Sequence, residues 1–254
     1  MRKKTISMAL LPTCALAAAL VAQAEDVTIY AAAAVKAPLT ALAGDYEKKT
    51  GNKVTLIFDT AGTTARRFRS TPTTLLITDV SLIREAENKG TLREGASAPL
   101  GSTMAAVAVP PKSAKPDVST PEKLKAVLLG AKRIAVSDPA RGATVGTHFM
   151  KVIDALGIKD QLMPKITFAN DGVATMRLVI DEGVDIGVSQ SSEILQSSPD
   201  SLVGPFPGEF ALSTNFSLWH RDDVSSAIKD LVALLTGPAG RERLAAEGIT
   251  PPSR

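Results

Sequence analysis

Small and hydroxyl residues cluster at four places where a β-prone run is followed directly by a helical pattern. These four segments are residues 31–36, 60–64, 137–144 and 170–173. A helix that begins immediately after a strand exposes unpaired backbone N–H groups and the positive end of its dipole. Such a helix end binds an anion without any special side chain. Four of them in one chain predict a shared anion site built largely from backbone groups.

Basic side chains lie in or near three of these segments. Lys36 stands at the start of the first helix, Arg66 lies one turn into the second helix, and Arg141 lies in the third segment. A guanidinium group donates two parallel hydrogen bonds to a carboxylate, whereas a lysine acts as a point charge. We therefore expect a small organic anion with more than one carboxylate. Arg67 and Arg69 are interpreted instead as solvated charges of the helix surface.

Signatures of covalent, phosphate-transfer and metal-dependent chemistry are absent from the sequence. It has no Gly-x-Ser-x-Gly motif, no Walker loop and no His-Glu-x-x-His motif. The two histidines are His148 and His220, and the single cysteine, Cys14, lies near the N-terminus. We therefore expect no metal site, no cofactor and no disulfide. His148 is the histidine nearest a predicted site, in the first turn after the third segment.

An alternation of strand-like and helix-like runs positions the four segments. The β-prone runs include residues 27–30, 54–58, 134–136 and 184–188, and helical patterns separate them. Strands joined by helices favour parallel sheets with crossover connections. Aromatic residues make up only 4% of the chain and hydrophobic residues 44%, so the predicted core is aliphatic. The sequence therefore predicts an α/β fold.

Three element boundaries bear on the site. Residues 59–64 are predicted to be a polar turn, with a basic helix that begins near Ala65. Residues 104–109, which are followed by Pro110 and Pro111, are predicted to be a strand that leaves the first unit. Asn170 is predicted to be the N-cap of the helix that follows it.

The alternation restarts after residue 109, which divides the chain into two units of similar size. We expect the tail, from residue 216 onwards, to return to the first unit, so that the chain crosses between the units twice. Residues 25–104 with 216–254 would then form the first lobe, and residues 105–215 the second lobe. Two crossings make a hinge, and the cleft between two hinged lobes is a standard ligand site.

The N-terminus has the composition of a secretory signal. Arg2, Lys3 and Lys4 precede an apolar run over residues 8–22 and a small-residue cleavage site at residues 22–24. The apolar run is shorter than the roughly 20 residues of a membrane span. We expect removal of residues 1–24, export to the periplasm and no stable membrane insertion.

The exported chain is expected to be electrically balanced. The sequence has 29 basic and 26 acidic residues, and three of the basic ones belong to the predicted signal. A balanced surface argues against nucleic acid as a partner. We expect a monomer that binds a small anion.

Several segments resemble, in order, the landmarks of periplasmic molybdate-binding proteins. They are Tyr-Ala-Ala-Ala-Ala-Val at 30–35, Phe-Asp-Thr-Ala-Gly-Thr-Thr-Ala-Arg at 58–66, Leu-Leu-Ile-Thr-Asp at 75–79, Ala-Val-Ser-Asp-Pro at 135–139, and the tail at 235–240 with 248–249. The resemblance covers nearly the whole exported chain. It implies the type II periplasmic binding-protein fold, which has two α/β lobes, a hinge and an interlobe cleft, and it implies an ABC permease as a partner.

The ligand donors of that family are replaced in this chain. The family normally has a serine where this chain has Ala34, a serine-rich second turn that falls on Ala61 or Gly62, and a tyrosine that aligns with Gln190. A buried oxyanion depends on such neutral donors, and each lost donor costs about 1 to 3 kcal/mol. These replacements favour a carboxylate ligand over molybdate.

The predicted ligand-binding residues combine the four segments with the resemblance. They are Ala34, Lys36, Thr60, Gly62, Thr63, Arg66, Arg141, Thr144, Asp171, Gly172 and Gln190. The first functional hypothesis is a receptor that closes on a di- or tricarboxylate and presents it to a permease. The second is a periplasmic aconitate isomerase, which is similar to this family and in which Lys36, His148, Asp59 or Asp171 would move a proton between carbons. The third is a receptor for molybdate or another oxyanion.

Overall fold

The computed structural model describes residues 24–70 and 75–252. A mixed sheet runs through the molecule, and helices cover it. The strands are β1 (Asp26–Ala32), β2 (Lys53–Asp59), β3 (Leu75–Asp79), β4 (Gly95–Ala108), β5 (Ile134–Ser137), β6 (Ile166–Ala169), β7 (Ile186–Gln190), β8 (Leu202–Pro205) and β9 (Ser213–Arg221). The helices are α1 (Lys36–Thr50), α2 (Ala61–Ser70), α3 (Val80–Asn88), α4 (Pro121–Gly130), α5 (Thr144–Ala155), α6 (Lys159–Leu162), α7 (Gly172–Asp181), α8 (Ser191–Ser197), α9 (Ser226–Thr236) and α10 (Pro238–Ala246).

The sheet has two groups of strands that are joined by one long strand. Its order is β2-β1-β3-β9-β4-β7-β5-β6, and β8 also pairs with β4. Strands β1, β2 and β3 pair in parallel, as do β5, β6 and β7. Nine of the first ten residues of β4 pair with β9, with Leu100 left out, and its last four pair with β7. We call the group of β1, β2, β3 and β9 the first lobe and the group of β5 to β8 the second lobe.

Each lobe has its own aliphatic core, because each group of strands is covered by its own helices. The first core is built around Ile29, Ile77 and Leu218, and the second around Leu124 and Phe149. Full burial of one such side chain contributes about 1.5 to 3 kcal/mol. The tail belongs to the first core, to which α9 and α10 contribute Leu231, Leu235 and Leu244.

The only tryptophan lies in a separate cluster of the first lobe. Trp219 of β9 is buried and contacts Phe68 of α2. The two rings meet edge to face, with their centres 5.5 Å apart. Leu76 and Ile83 complete the surroundings of the two rings. This cluster is distinct from the core of the same lobe.

Three predicted boundaries differ from the structure. Helix α2 begins at Ala61 rather than near Ala65, because the Thr60 hydroxyl accepts a hydrogen bond from the Thr63 N–H and so caps the helix. Strand β4 begins nine residues before Met104, and an irregularity between Pro99 and Gly101 interrupts its pattern. The N-cap of α7 is Asp171 rather than Asn170, since its side chain accepts from the Ala174 N–H.

The predicted signal segment lies outside the described residues, except for Ala24. Within residues 24–70 and 75–252, none of the helices combines the length and the hydropathy that a bilayer crossing requires.

Candidate functional site

A small cavity lies where the strand ends of the two lobes meet. Its volume is about 30 Å³, which is room for roughly two water molecules. The walls come from both lobes and include all four segments that the sequence analysis singled out. The lining residues are Ala32, Ala33, Ala34, Asp59, Thr60, Ala61, Ser137, Ala143, Thr144, Val145, Gly172, Gln190, Glu193 and Phe216.

Hydrogen-bond donors face this cavity from several helix ends. Helices α2, α5 and α7 begin at Ala61, Thr144 and Gly172, which all line it. The first N–H groups of a helix have no partner within the helix, and they lie at the positive end of its dipole. The hydroxyls of Ser137 and Thr144 also line the cavity, and neither makes a hydrogen bond within the described part of the chain. The arrangement is suited to a small anion.

The Arg141 carbonyl oxygen joins the two lobes beside the cavity. It accepts hydrogen bonds from the Thr60 hydroxyl at 2.6 Å, the Thr63 hydroxyl at 2.8 Å and the Arg66 Nη2 at 3.0 Å. All three donors belong to the first lobe, whereas Arg141 follows β5 of the second lobe. The lobes are therefore closed on one another in this structure.

Two glycines bring the backbones of the lobes into direct contact. The Gly62 N–H donates to the Gly142 carbonyl oxygen at 3.0 Å. A Cβ atom added at residue 62 would lie 2.7 Å from the Gly142 Cα. Gly142 also has a φ of +75°, a conformation that favours glycine. Any side chain at either position would push the lobes apart.

The Arg141 guanidinium is paired with an acidic residue of the protein. Its Nη2 donates to both carboxylate oxygens of Asp59, at 2.9 and 3.1 Å, and its Nε donates to the Asn170 carbonyl oxygen. Arg67 lies 3.3 Å from the same carboxylate. Asp59 is 6% exposed and lines the cavity, so its negative charge is compensated by two arginines before any ligand enters.

A second carboxyl group, that of Glu193 in α8, lines the cavity from the other lobe. Its Oε2 accepts hydrogen bonds from the Ser189 hydroxyl at 2.6 Å and from the Gln190 N–H at 3.1 Å. Burial, together with the nearby negative charge of Asp171, raises the pKa of Glu193 to about 7 despite the lowering effect of the two hydrogen bonds. This acid therefore titrates near neutral pH.

Gln190, at the end of β7, places an amide group beside Glu193. Its Nε2 donates to the Thr214 hydroxyl at 2.9 Å, and its Oε1 has no hydrogen-bond partner among the described residues. Rotation of the amide would exchange the two atoms, since the Thr214 hydroxyl can donate as well as accept. Gln190 can therefore offer either an acceptor or a donor to a ligand.

The predicted site residues fall into three groups. Ala34, Thr60, Thr144, Gly172 and Gln190 line the cavity. The contact between the lobes contains Gly62, Thr63, Arg66 and Arg141. The remaining predicted residues, which are absent from the cavity lining, are Lys36, Asp171 and His148.

The residues outside the cavity have other partners. The Lys36 Nζ lies 5.8 Å from the centre of the Phe58 ring, and His148 Nε2 lies 2.8 Å from the Phe210 carbonyl oxygen. Asp171 caps α7. Over residues 24–70 and 75–252, no group of three or more histidine, cysteine or acidic residues has a geometry that could hold a metal ion.

Sequence reasoning missed Glu193 as a site residue. A signal for it exists at a further strand-to-helix junction, between β7 and α8. There Glu193 directly follows Ser189, Gln190, Ser191 and Ser192. This junction has the same small and hydroxyl composition as the four that were recognised.

A wider groove of about 410 Å³ adjoins the cavity. It shares Thr144 with the cavity, and its walls include Gly62 and Gly142. Its lining includes three basic residues, Arg66, Arg69 and Lys151, and two acidic residues, Asp79 and Glu85.

Comparison with known proteins identifies the family. The sequence profile of the bacterial extracellular solute-binding proteins matches residues 27–250. The chain belongs to this family. It is 25% identical to the molybdate-binding protein ModA of Escherichia coli (strain K12), over 88% of each chain. These solute-binding proteins are exported, and the resemblance to the periplasmic molybdate-binding branch is confirmed.

Solved structures confirm the fold. The periplasmic molybdate-binding protein of Azotobacter vinelandii has a TM-score of 0.71 at 20% identity, over 89% of this chain and 100% of that chain. A phosphate-bound substrate-binding protein of a putative phosphate ABC transporter from Clostridium perfringens has a TM-score of 0.69 at 12% identity, over 90% and 100%. The predicted type II periplasmic binding-protein fold, with two lobes and an interlobe cleft, is confirmed.

Proposed function

We propose that this protein is a periplasmic receptor that closes on a small anion and presents it to an ABC-type permease. The observation that carries this proposal is the cavity between the lobes, which is lined by the first residues of α2, α5 and α7 at the positive ends of these three helices. Membership of the solute-binding family supports the same function.

We infer that the lobes move about the two strands that connect them. Residues 25–104 with 216–254 would form one body and residues 105–215 the other, so that β4 and β9 carry the hinge. A ligand that contacts both lobes shifts the population towards the closed arrangement. Residues 1–24 are proposed to direct export and to be removed afterwards.

The size and charges of the cavity favour a compact anion over the di- or tricarboxylate that the sequence analysis preferred. The cavity measures about 30 Å³, and Asp59 already engages the Arg141 guanidinium. A polycarboxylate would have to open the lobes and use the wider groove, where Arg66 and Lys151 lie. The relatives named for molybdate and phosphate also support a compact oxyanion.

One observation favours an isomerase as the second candidate. Glu193 borders the cavity with a pKa of about 7, as a general base for a proton shift would require. It would remove a proton from one carbon of trans-aconitate and return it to another, with no other reactant consumed. The carbonyl contact of His148 and the position of Lys36 outside the cavity lining make both weaker candidates for this role.

The test is a ligand screen on purified residues 25–254, after unfolding and refolding to remove any bound solute. Thermal unfolding is followed with phosphate, sulfate, molybdate, citrate and tricarballylate, and trans-aconitate is assayed for conversion to cis-aconitate. We expect at least one compact oxyanion at 100 times its Kd to stabilise the protein by about 2.7 kcal/mol. A response to tricarboxylates alone would contradict the compact-anion proposal, and turnover would establish the isomerase.

A further inference from the structure

The carboxyl group of Glu193 is an unusual component of an anion cavity. Glu193 is 6% exposed and lines the cavity, and its two hydrogen bonds both reach Oε2. Its Oε1 makes no hydrogen bond within the described part of the chain. An anion oxygen placed against this carboxylate would set two acceptors against each other, which costs free energy. A ligand that places a donor at Oε1 removes this cost.

The local backbone is built to hold Glu193 at this place. A Cβ atom at residue 172 would collide with the Glu193 carboxylate and with the Ser189 hydroxyl. Gly172 therefore lets the carboxyl group lie directly against the first residue of α7. This is the same helix end that offers N–H groups to the cavity, so a ligand bound there would also contact Glu193.

The charges around Glu193 determine how it responds to pH. Asp171 faces it from α7, and Asp59, which is paired with Arg141, lies in the opposite wall of the cavity. Strands β4, β7 and β8, which also pack against α8, contain no ionisable residue. The other charged residues of α7 and of the turn after α8 are exposed, namely Arg177, Asp181 and Asp200. Desolvation and Asp171 favour the protonated acid, whereas the α7 dipole favours the ionised form.

We propose that Glu193 contacts the ligand and selects anions that carry a hydrogen-bond donor, such as hydrogen phosphate or hydrogen arsenate, over fully deprotonated anions such as sulfate. This inference rests on the proposed function and names its substrate class. The ionised carboxylate accepts a hydrogen bond from the ligand O–H. Sulfate offers only acceptors, so its oxygens face the Glu193 oxygen without a proton between them.

The same contact predicts how sulfate binding changes with pH. Protonation of Glu193 converts Oε1 into a donor, which sulfate can accept. Sulfate keeps its charge between pH 8 and pH 5.5, whereas phosphate gains a proton, so sulfate is the anion to measure: its affinity should rise as the pH decreases from 8 to 5.5. This measurement uses the unmodified protein, so it does not depend on whether a variant folds.

The experiment is isothermal titration of residues 25–254 with phosphate and with sulfate at pH 8 and pH 5.5. At pH 8 we expect phosphate to bind at least about 30-fold more tightly than sulfate, as befits a hydrogen bond to a charged group. In Glu193→Gln the amide can donate to either anion, so the ratio should fall below about 5-fold. Glu242→Gln, which replaces an exposed glutamate of α10, is the matched control and should keep the ratio of the unmodified protein.

The outcomes separate this inference from the function on which it rests. Equal affinity for sulfate and phosphate at pH 8, or an unchanged ratio in Glu193→Gln, would overturn the role of Glu193 and leave the anion receptor intact. Absence of binding by phosphate, sulfate, arsenate and molybdate would overturn both.

Discussion

Arg141 has two separate tasks at the site. Its carbonyl oxygen gathers three donors from the first lobe, and its guanidinium compensates the charge of Asp59 in the cavity wall. The first task depends on the backbone and survives substitution of the side chain. The second task depends on the side chain alone, so the two tasks can be separated by mutation.

Replacement of Arg141 is expected to weaken anion binding through Asp59. In Arg141→Ala the carboxylate lies beside the ligand with only Arg67 to compensate it, so Kd should rise about 10-fold or more. Asp59→Asn in the same chain removes the uncompensated charge and should restore part of the affinity. Titration calorimetry of the two single variants and the double variant measures this coupling.

Arg177→Ala is the matched control, because Arg177 is an exposed arginine of α7 that has no hydrogen-bond or ion-pair partner among the residues that the structure describes. If Arg141→Ala binds phosphate as tightly as Arg177→Ala does, the charge of Asp59 has no influence on the ligand.

For a single residue, a position at a strand-to-helix junction predicts a place in the cavity lining better than the residue type does. Thr60, Thr144 and Gly172 could be proposed from the sequence because each stands where a strand changes into a helix, and all three line the cavity. The partners of Arg141 could not be proposed, because Asp59 is 82 residues away in sequence. Glu193 is equally hidden, since a glutamate in a short helix is usually solvated.

Among the elements, the start of α2 determines how closely the lobes approach. The helix begins four residues earlier than the sequence predicts, and this places Gly62 in its first turn against Gly142. With Thr60 at the N-cap and Thr63 in the first turn, both hydroxyls donate to the Arg141 carbonyl oxygen.

Gly62→Ala is expected to oppose closure without unfolding the protein. The new Cβ would overlap the Gly142 backbone, which cannot move aside as a side chain could, so overpacking should cost about 1 to 3 kcal/mol of closure. Ligand affinity should fall about 10-fold or more, as measured by calorimetry. The midpoint of thermal unfolding without ligand should change little, because alanine is a good helix former.

Gly44→Ala provides the control for this change. Gly44 lies inside α1 and has no atom within 4 Å of an added Cβ. The substitution should stabilise the protein by about 0.5 to 1 kcal/mol and leave the affinity unchanged. Equal affinity in the two glycine variants would show that the Gly62–Gly142 contact has no part in closure.

The boundaries of β4 show where a sequence pattern fails to predict the structure. Strand β4 could be recognised only from Met104 onwards, because Pro99 and Gly101 break its earlier half. That half still pairs with β9 on both sides of this irregularity, so tertiary hydrogen bonding stabilises a segment of low strand propensity. Longer periodic elements such as α5 and α7 agree with the sequence within one or two residues.

For the whole molecule, Glu193 couples stability to pH. Its pKa is raised from 4.5 to about 7 in the folded protein, so the folded state holds the proton more tightly than the unfolded chain does. This contribution to stability is complete below pH 4.5 and is lost as the pH rises through 7. Burial of the charged form should cost up to about 3 kcal/mol at higher pH.

We therefore expect the unfolding free energy of the ligand-free protein to fall between pH 5 and pH 8 relative to that of Glu193→Gln. Urea unfolding of both proteins at these two pH values gives the difference. If the unfolding free energies of the two proteins changed by the same amount between pH 5 and pH 8, Glu193 would not be protonated preferentially in the folded state.

The position of Trp219 has a practical consequence for spectroscopy. This residue supplies the whole indole emission of the chain, and its neighbours, such as Phe68, belong to the first lobe alone. Its emission thus reports the integrity of that lobe and is insensitive to a change in the angle between the lobes. Following closure optically requires a dye pair attached across the cleft.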